Sequence, residues 1–243
     1  MFLTVAIVIF TLVTLYGLNV GNFVIGVENI SDRGEVNLAL SINGNPDATV
    51  PRISAQGLHE QGDTTKGWIM DGKAENLVPG NGTKNDTDFG QYMAFSFYLH
   101  NKSDVTVDYT YRFELLAGDN DIHHVVRIWI IESDEEDNIT SDLTYMYPED
   151  NAADMAKYEE ELRKQNEYDQ EGNLIKDCYY VSEYFNTRTE VCFVEKTGFE
   201  AGAMKKYTVV IWAEGADPKC NADYKLLGET LKASMNFVGR AAQ

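Results

Sequence analysis

The sequence predicts an all-β fold, an antiparallel two-sheet sandwich, and three observations carry that expectation. Residues 104–115 read DVTVDYTYRFEL, in which Val105, Val107, Tyr109, Tyr111, Phe113 and Leu115 alternate strictly with Thr106, Asp108, Thr110, Arg112 and Glu114. That is the period of a half-buried strand and of no helix. Further β-branched or alternating runs recur at residues 22–28, 36–42, 92–99, 122–132, 206–214 and 230–238, punctuated by Gly, Asn and Asp turns. Only one segment has helical spacing, so the apolar sheet faces must bury themselves against one another.

Composition agrees with a folded globular domain. The 243 residues are 44% hydrophobic and 12% aromatic, with 14 Tyr and 11 Phe, far from the composition of a disordered chain. Lys+Arg 20 against Asp+Glu 39 gives a net charge of −19, which excludes nucleic acid and anionic lipid as electrostatic partners.

Taken in order, residues 2–18 form an uncharged apolar run of 17 residues, interrupted only by three Thr. At about 1.5 Å rise per residue it just spans a bilayer. Residues 1–18 are therefore read as a transmembrane anchor or signal helix, with residues 19–243 as one extracytoplasmic β-sandwich domain. An anchor leaves the domain on the cell membrane outside the cytoplasm; cleavage releases it. Residues 22–28 and 36–42 are expected to pair across the turn at Ser31, Asp32, Arg33 and Gly34. Residues 60–88, rich in Gly, Asn, Asp and Thr, form a surface excursion tucked down by Trp68, Ile69 and Met70. Residues 92–115 read as one long hairpin turning at 101–104, and residues 132–137 (ESDEED) as an acidic loop. Met155, Tyr158 and Leu162 share a helical face, so a helical insertion at about 150–165 caps the sandwich. In the last strand, Leu231, Ala233, Met235 and Phe237 share a face.

Chemistry-bearing groups are sparse. His123 and His124, adjacent on an expected strand, point to opposite faces and cannot converge on one metal; His59 and His100 lie in other segments. Asp119, Asn120 and Asp121 with the 132–137 run offer oxygen ligands to calcium, although EF-hand spacing is absent and a solvated charge run is the plain alternative. No nucleophile elbow, Walker A loop or dinucleotide fingerprint occurs, so no catalytic, cofactor-binding or metal-binding residue is assigned. If residues 177–184 and 190–195 form a hairpin, the register that faces Tyr179 and Val191 inward sets Cys178 opposite Cys192 on the outer face. That position allows a disulfide with Cys220 left over; three independent thiols is the equal alternative. Sequons stand at Asn29, Asn81, Asn85, Asn101 and Asn138. Of Trp68, Trp129 and Trp212, only Trp68 lies outside a core-like strand and is placed to stack on a sugar, as in a carbohydrate-binding module.

Three stretches, YGLNVGNFVIGVE after the apolar run, YMAFSFYLHNKSDVTVDYTYRFEL, and YTVVIWAEGADPKC followed by LKASMNF, resemble surface proteins of Gram-positive, chiefly clostridial, bacteria of the TasA and camelysin group. The resemblance implies a jelly-roll sandwich and a non-enzymatic structural or adhesive role in the envelope or biofilm matrix. It also implies assembly by β-strand addition through Asn22, Phe23, Val24 and Ile25, with self-association or other envelope proteins and glycans as partners. The chain departs from the group by its helical insertion, its acidic loops and the lack of a clear cleavage site. Camelysin's description as a metal-dependent protease supplies the alternative, a surface metallopeptidase, for which no ligand set here can be matched.

Overall fold

The computed structural model describes residues 23–31, 35–55, 65–66, 69, 80–86, 90–115, 122–176, 180–220 and 232–242. The expected apolar segment at 1–18 lies outside these; no helix among the described residues is long and apolar enough to cross a membrane.

Two sheets face one another, as the alternation of the strands predicts. The first has the order β12-β6-β14-β1-β3, built from Glu190–Phe199, Val107–Leu115, Ala233–Ala241, Phe23–Ile30 and Arg52–Ala55. The second has the order β11-β8-β7-β13-β5-β2, built from Glu183–Tyr184, Ile139–Met146, Val126–Ser133, Met204–Ala213, Gly90–Asn101 and Leu38–Ser41. Strand β4 (Gly80–Asp86) also pairs with β5, and β9 (Glu167–Tyr168) pairs with β10 (Leu174–Lys176) in a separate two-stranded sheet.

Between the sheets lies an aromatic core. Phe97 stacks on Tyr207 with ring centroids 5.6 Å apart, and Phe237 meets Phe97, Tyr109, Tyr111 and Tyr207 within 5.2 to 6.1 Å. Such offset and edge-to-face pairs add to the burial of large apolar surfaces. Gly239 lets the layers close: a Cβ there would lie 2.5 Å from Leu38 Cδ1 on the opposite sheet.

The predicted hairpins are corrected. Strands β5 and β6 exist where expected but belong to different sheets, so residues 101–104 form a corner between layers. Asn101 holds that corner: it is 1% exposed and its amide donates to the carbonyls of Val105, Phe199 and Glu200, each at 2.9 Å. Val105, expected to face inward, sits in this corner 37% exposed. Likewise β1 and β2 do not pair across 31–34; they too are in separate sheets. Alternation specifies which face is apolar, and two facing strands satisfy it as well as two adjacent ones.

The helical insertion is α1, Ala152–Arg163. Asn151 caps it by accepting from Ala153 N at 3.1 Å and Asp154 N at 3.0 Å. Tyr158 and Leu162 pack on Met146 of β8, covering the outer face of the second sheet at one end. Further along the same face Ile69 sits among Tyr92, Trp129, Ile131, Val210 and Trp212. The excursion thus does tuck down through Ile69, while Trp68 and Met70 lie outside the described residues. Among the described residues, the second sheet is covered on both faces and the first on its inner face alone.

Candidate functional site

Residues 23–25 of the segment expected to act in strand addition lie in β1 of the first sheet. In β1, Phe23 and Ile25 are fully buried, with Phe23 against Phe113 at 5.6 Å and Phe95 at 6.3 Å, whereas Val24 and Gly26 face outward. One edge of β1 runs parallel to β14, from Phe23 opposite Ala233 to Ile30 opposite Arg240. Its other edge pairs antiparallel with only four residues of β3, Phe23 with Ala55 through Gly26 with Arg52. The β1–β14 pairing is the one parallel pairing of this sheet among the described residues. A clamp closes the far end: the Asn29 amide accepts from Leu38 N at 2.8 Å and donates to Leu38 O at 3.1 Å, tying β1 to the opposite sheet. Asn22 lies outside the described residues.

The outer face of the first sheet carries a groove of about 630 Å³. Its floor is Asp108 and Thr110 of β6, and its walls are Phe193, Glu195 and Thr197 of β12 and Val238 and Arg240 of β14. Phe193 is 44% exposed, and the Arg112 guanidinium lies 5.4 Å over its ring while pairing with Glu190 at 3.0 Å. A second depression of about 400 Å³ shares Tyr109, Lys196 and Thr197 with the groove and opens toward Asp134, Glu135 and Glu136.

Two polar networks lie inside. Glu132, expected in a solvated acidic loop, is the inward-facing end of β7 and 1% exposed. It accepts from the Tyr111 hydroxyl at 2.8 Å and pairs with Lys196 Nζ at 2.8 Å, which compensates the buried charge. Burial first, then the Glu132 charge, pushes the Tyr111 hydroxyl far above its usual range. On the opposite face of the second sheet, Arg127 is 2% exposed and pairs with Asp217 at 2.8 Å, with the Tyr158 hydroxyl donating to the same carboxylate oxygen. Burial opposes the Arg127 charge, but Tyr158, Asp217 and Glu214 hold the guanidinium firmly protonated. Glu214 itself, buried and accepting from Trp212 Nε1 at 2.9 Å, has its carboxyl raised by desolvation. The first network ties β7 to β6 and β12 across the core, and the second joins α1 and the 214–220 turn to the second sheet.

The remaining expected residues fall as follows. His123 and His124 stand on a 3-10 turn, Ile122–His124, ahead of β7, not on a strand, so their rings do face each other at 4.3 Å, edge-on to Tyr147. His100 is buried and bonded to the Ser41 hydroxyl at 2.7 Å; His59 lies outside the described residues. No group of three metal-ligating side chains occurs among the described residues. Asp119, Asn120 and Asp121 lie outside them, and Asp134 is held below the usual carboxylate range chiefly by the Asn138 side chain.

Trp129 and Trp212 are buried, and Lys66 Nζ lies 4.5 Å over the Trp129 ring. Cys192 is corrected from an outer-face position: β12 pairs with β6, Cys192 is a free thiol 4% exposed in the core, and burial pushes it up to about 12. The other half of the expected hairpin pairs elsewhere, with β11 on β8, and Cys178 lies outside the described residues. Of the sequons, Asn101 is fully engaged at its corner and Asn29 in its clamp; Asn138 is exposed, and the side chains of Asn81 and Asn85 lie outside the described residues.

Sequence reasoning missed the Arg127 to Asp217 pair and the groove. Arg127 was legible only as one charge inside an apolar run, VRIWII, the one signal that a buried partner was required. The sequence matches no family model and no curated protein.

Proposed function

We propose that this chain is a non-enzymatic structural protein of the cell envelope or extracellular matrix, of TasA-like jelly-roll type, that assembles by exchanging β1 between copies. Residues 1–18 anchor it in the membrane or direct its export, and the acidic domain lies outside the cytoplasm. The observation that carries the reading is the setting of β1: a strand in parallel register with β14, backed on its other edge by only four residues of β3. Parallel pairing is slightly weaker per residue than antiparallel, and a parallel strand is not tied to its neighbour by a hairpin. A β1 from a second copy would fill the same slot with the same Phe23 and Ile25 contacts, so exchange conserves the interactions it breaks.

The test is the N-terminal sequence and sedimentation of the protein recovered from its own cell surface. Chains beginning near residues 19–22 that sediment as fibres support the reading. An intact residue 2–18 segment on a membrane-bound monomer overturns exchange and leaves an anchored display domain. Zinc-dependent proteolysis by the purified chain would instead favour the camelysin-like alternative.

A further inference from the structure

We propose that the open face of the first sheet binds an uncharged, hydroxyl-rich polysaccharide along the groove over β6. The inference uses residues of β6, β12 and β14 and does not depend on exchange of β1. Neighbouring strands lie about 4.8 Å apart, so the side chains of β12 and β14 wall a trough about 10 Å wide with β6 as its floor. The floor side chains, Asp108 and Thr110, are shorter than Phe193, Glu195 and Arg240 on the walls, which is why the trough exists. Its width fits one extended polymer chain.

The lining selects the polymer's chemistry. Phe193 offers the exposed side of a ring whose orientation Arg112 fixes, a surface suited to the C–H face of a pyranose. The lining also carries both acceptors and donors: Asp108, Glu195, Thr110, Thr197 and Arg240. Gly198 N donates to one Asp108 oxygen at 2.9 Å, which holds that carboxylate at the groove with its second oxygen available. Arg240 makes no ion pair among the described residues, so its guanidinium is available as a charge-assisted donor. Sugar hydroxyls donate and accept at once, and so match a lining that mixes both roles; a lipid chain or an apolar peptide would leave these charges desolvated and unpaired. The net charge of −19 repels polyanionic glycans, and the Arg240 guanidinium at the groove wall disfavours cationic ones.

The experiment is native affinity electrophoresis of the full chain in a polyoxyethylene detergent, through gels containing hydroxyethylcellulose, laminarin or dextran. We expect retardation by at least one of the three, and loss of that retardation in both Phe193→Ala and Arg240→Ala. Tyr168→Ala, which removes an exposed aromatic on β9 away from the groove, should be retarded like the parent. Unchanged thermal midpoints establish that the variants are folded. Parent mobility equal to that in a polysaccharide-free gel overturns the proposal, as does parent-like retardation of both groove variants. A change in sedimentation with no change in retardation would mark the face as a contact between copies, and also overturns it.

Discussion

The two sheets of this protein share one core but differ in what lies behind them. Strand β7 of the second sheet is buried at every position, because the inner face meets the aromatic core and the outer face meets α1 and the Ile69 cluster. Strand β6 of the first sheet alternates buried and partly exposed positions along its whole length. A sheet covered on both sides reads as a continuous apolar run, and a sheet with one wet face reads as an alternation. The difference assigns places: the second sheet is packed on both faces, and the first carries the groove and the parallel strand β1 for which exchange is proposed.

The sharpest test of that division replaces the outer-face aromatic of each sheet. Trp212→Ala should cost about 3–5 kcal/mol in urea unfolding, since the indole is fully buried beneath the second sheet's cover. Phe193→Ala on the first sheet should cost within about 0.5 kcal/mol, as an exposed site does. Equal costs would mean that both outer faces are covered.

Arginines offer the next comparison. Arg127→Met leaves Asp217 buried without its cation and should cost about 3 kcal/mol, loosening α1 with it. Arg112→Ala removes a half-exposed pair with Glu190 and should cost about 0.2–1 kcal/mol. Chemical denaturation of both variants measures the contrast.

Asn29→Ala removes two hydrogen bonds to Leu38 and should cost about 1–2 kcal/mol. Because the clamp acts on β1, amide exchange across β1 and its β14 partners should accelerate more than exchange in β7. Uniform acceleration would contradict an independently held β1.

The smallest effect concerns pH. Desolvation raises the Glu214 carboxyl above its ordinary 4.5, so the folded state holds this proton more tightly than the unfolded state does. Its stabilising contribution is present below pH 4.5 and is lost as pH rises through the higher folded value. Relative to Glu214→Gln, the parent should therefore lose urea stability on going from acid to neutral pH. A constant gap between the two midpoints would refute the assignment.

The strands and α1 were legible because their periodicity is local. The apolar faces of Val107 to Leu115 and of Tyr158 and Leu162 follow from spacing alone. Partner choice was not legible: β5 and β6 look like a hairpin in sequence, and only the Asn101 amide, reaching carbonyls nearly a hundred residues away, turns the chain into the other layer. For the same reason Cys192 read as an outer-face residue until β12 paired with β6. Of the candidate site, residues 22–28 could be read as a strand, whereas which of its side chains face inward was not assigned, and the groove joins side chains of β6, β12 and β14 that no short motif links.

The most direct measurement of the central claim places a cysteine pair across β1 and β3, Val24→Cys with Ser54→Cys, in a chain also carrying Cys178→Ser and Cys220→Ser. These two positions are opposed on the outer face, at the spacing of cross-strand neighbours. If β1 is exchanged between copies at the cell surface, oxidation links different chains, and a non-reducing gel shows a ladder of covalent multimers that collapses with reductant. Complete oxidation that yields monomers alone would show that β1 stays in its own sheet, and would contradict assembly by strand exchange.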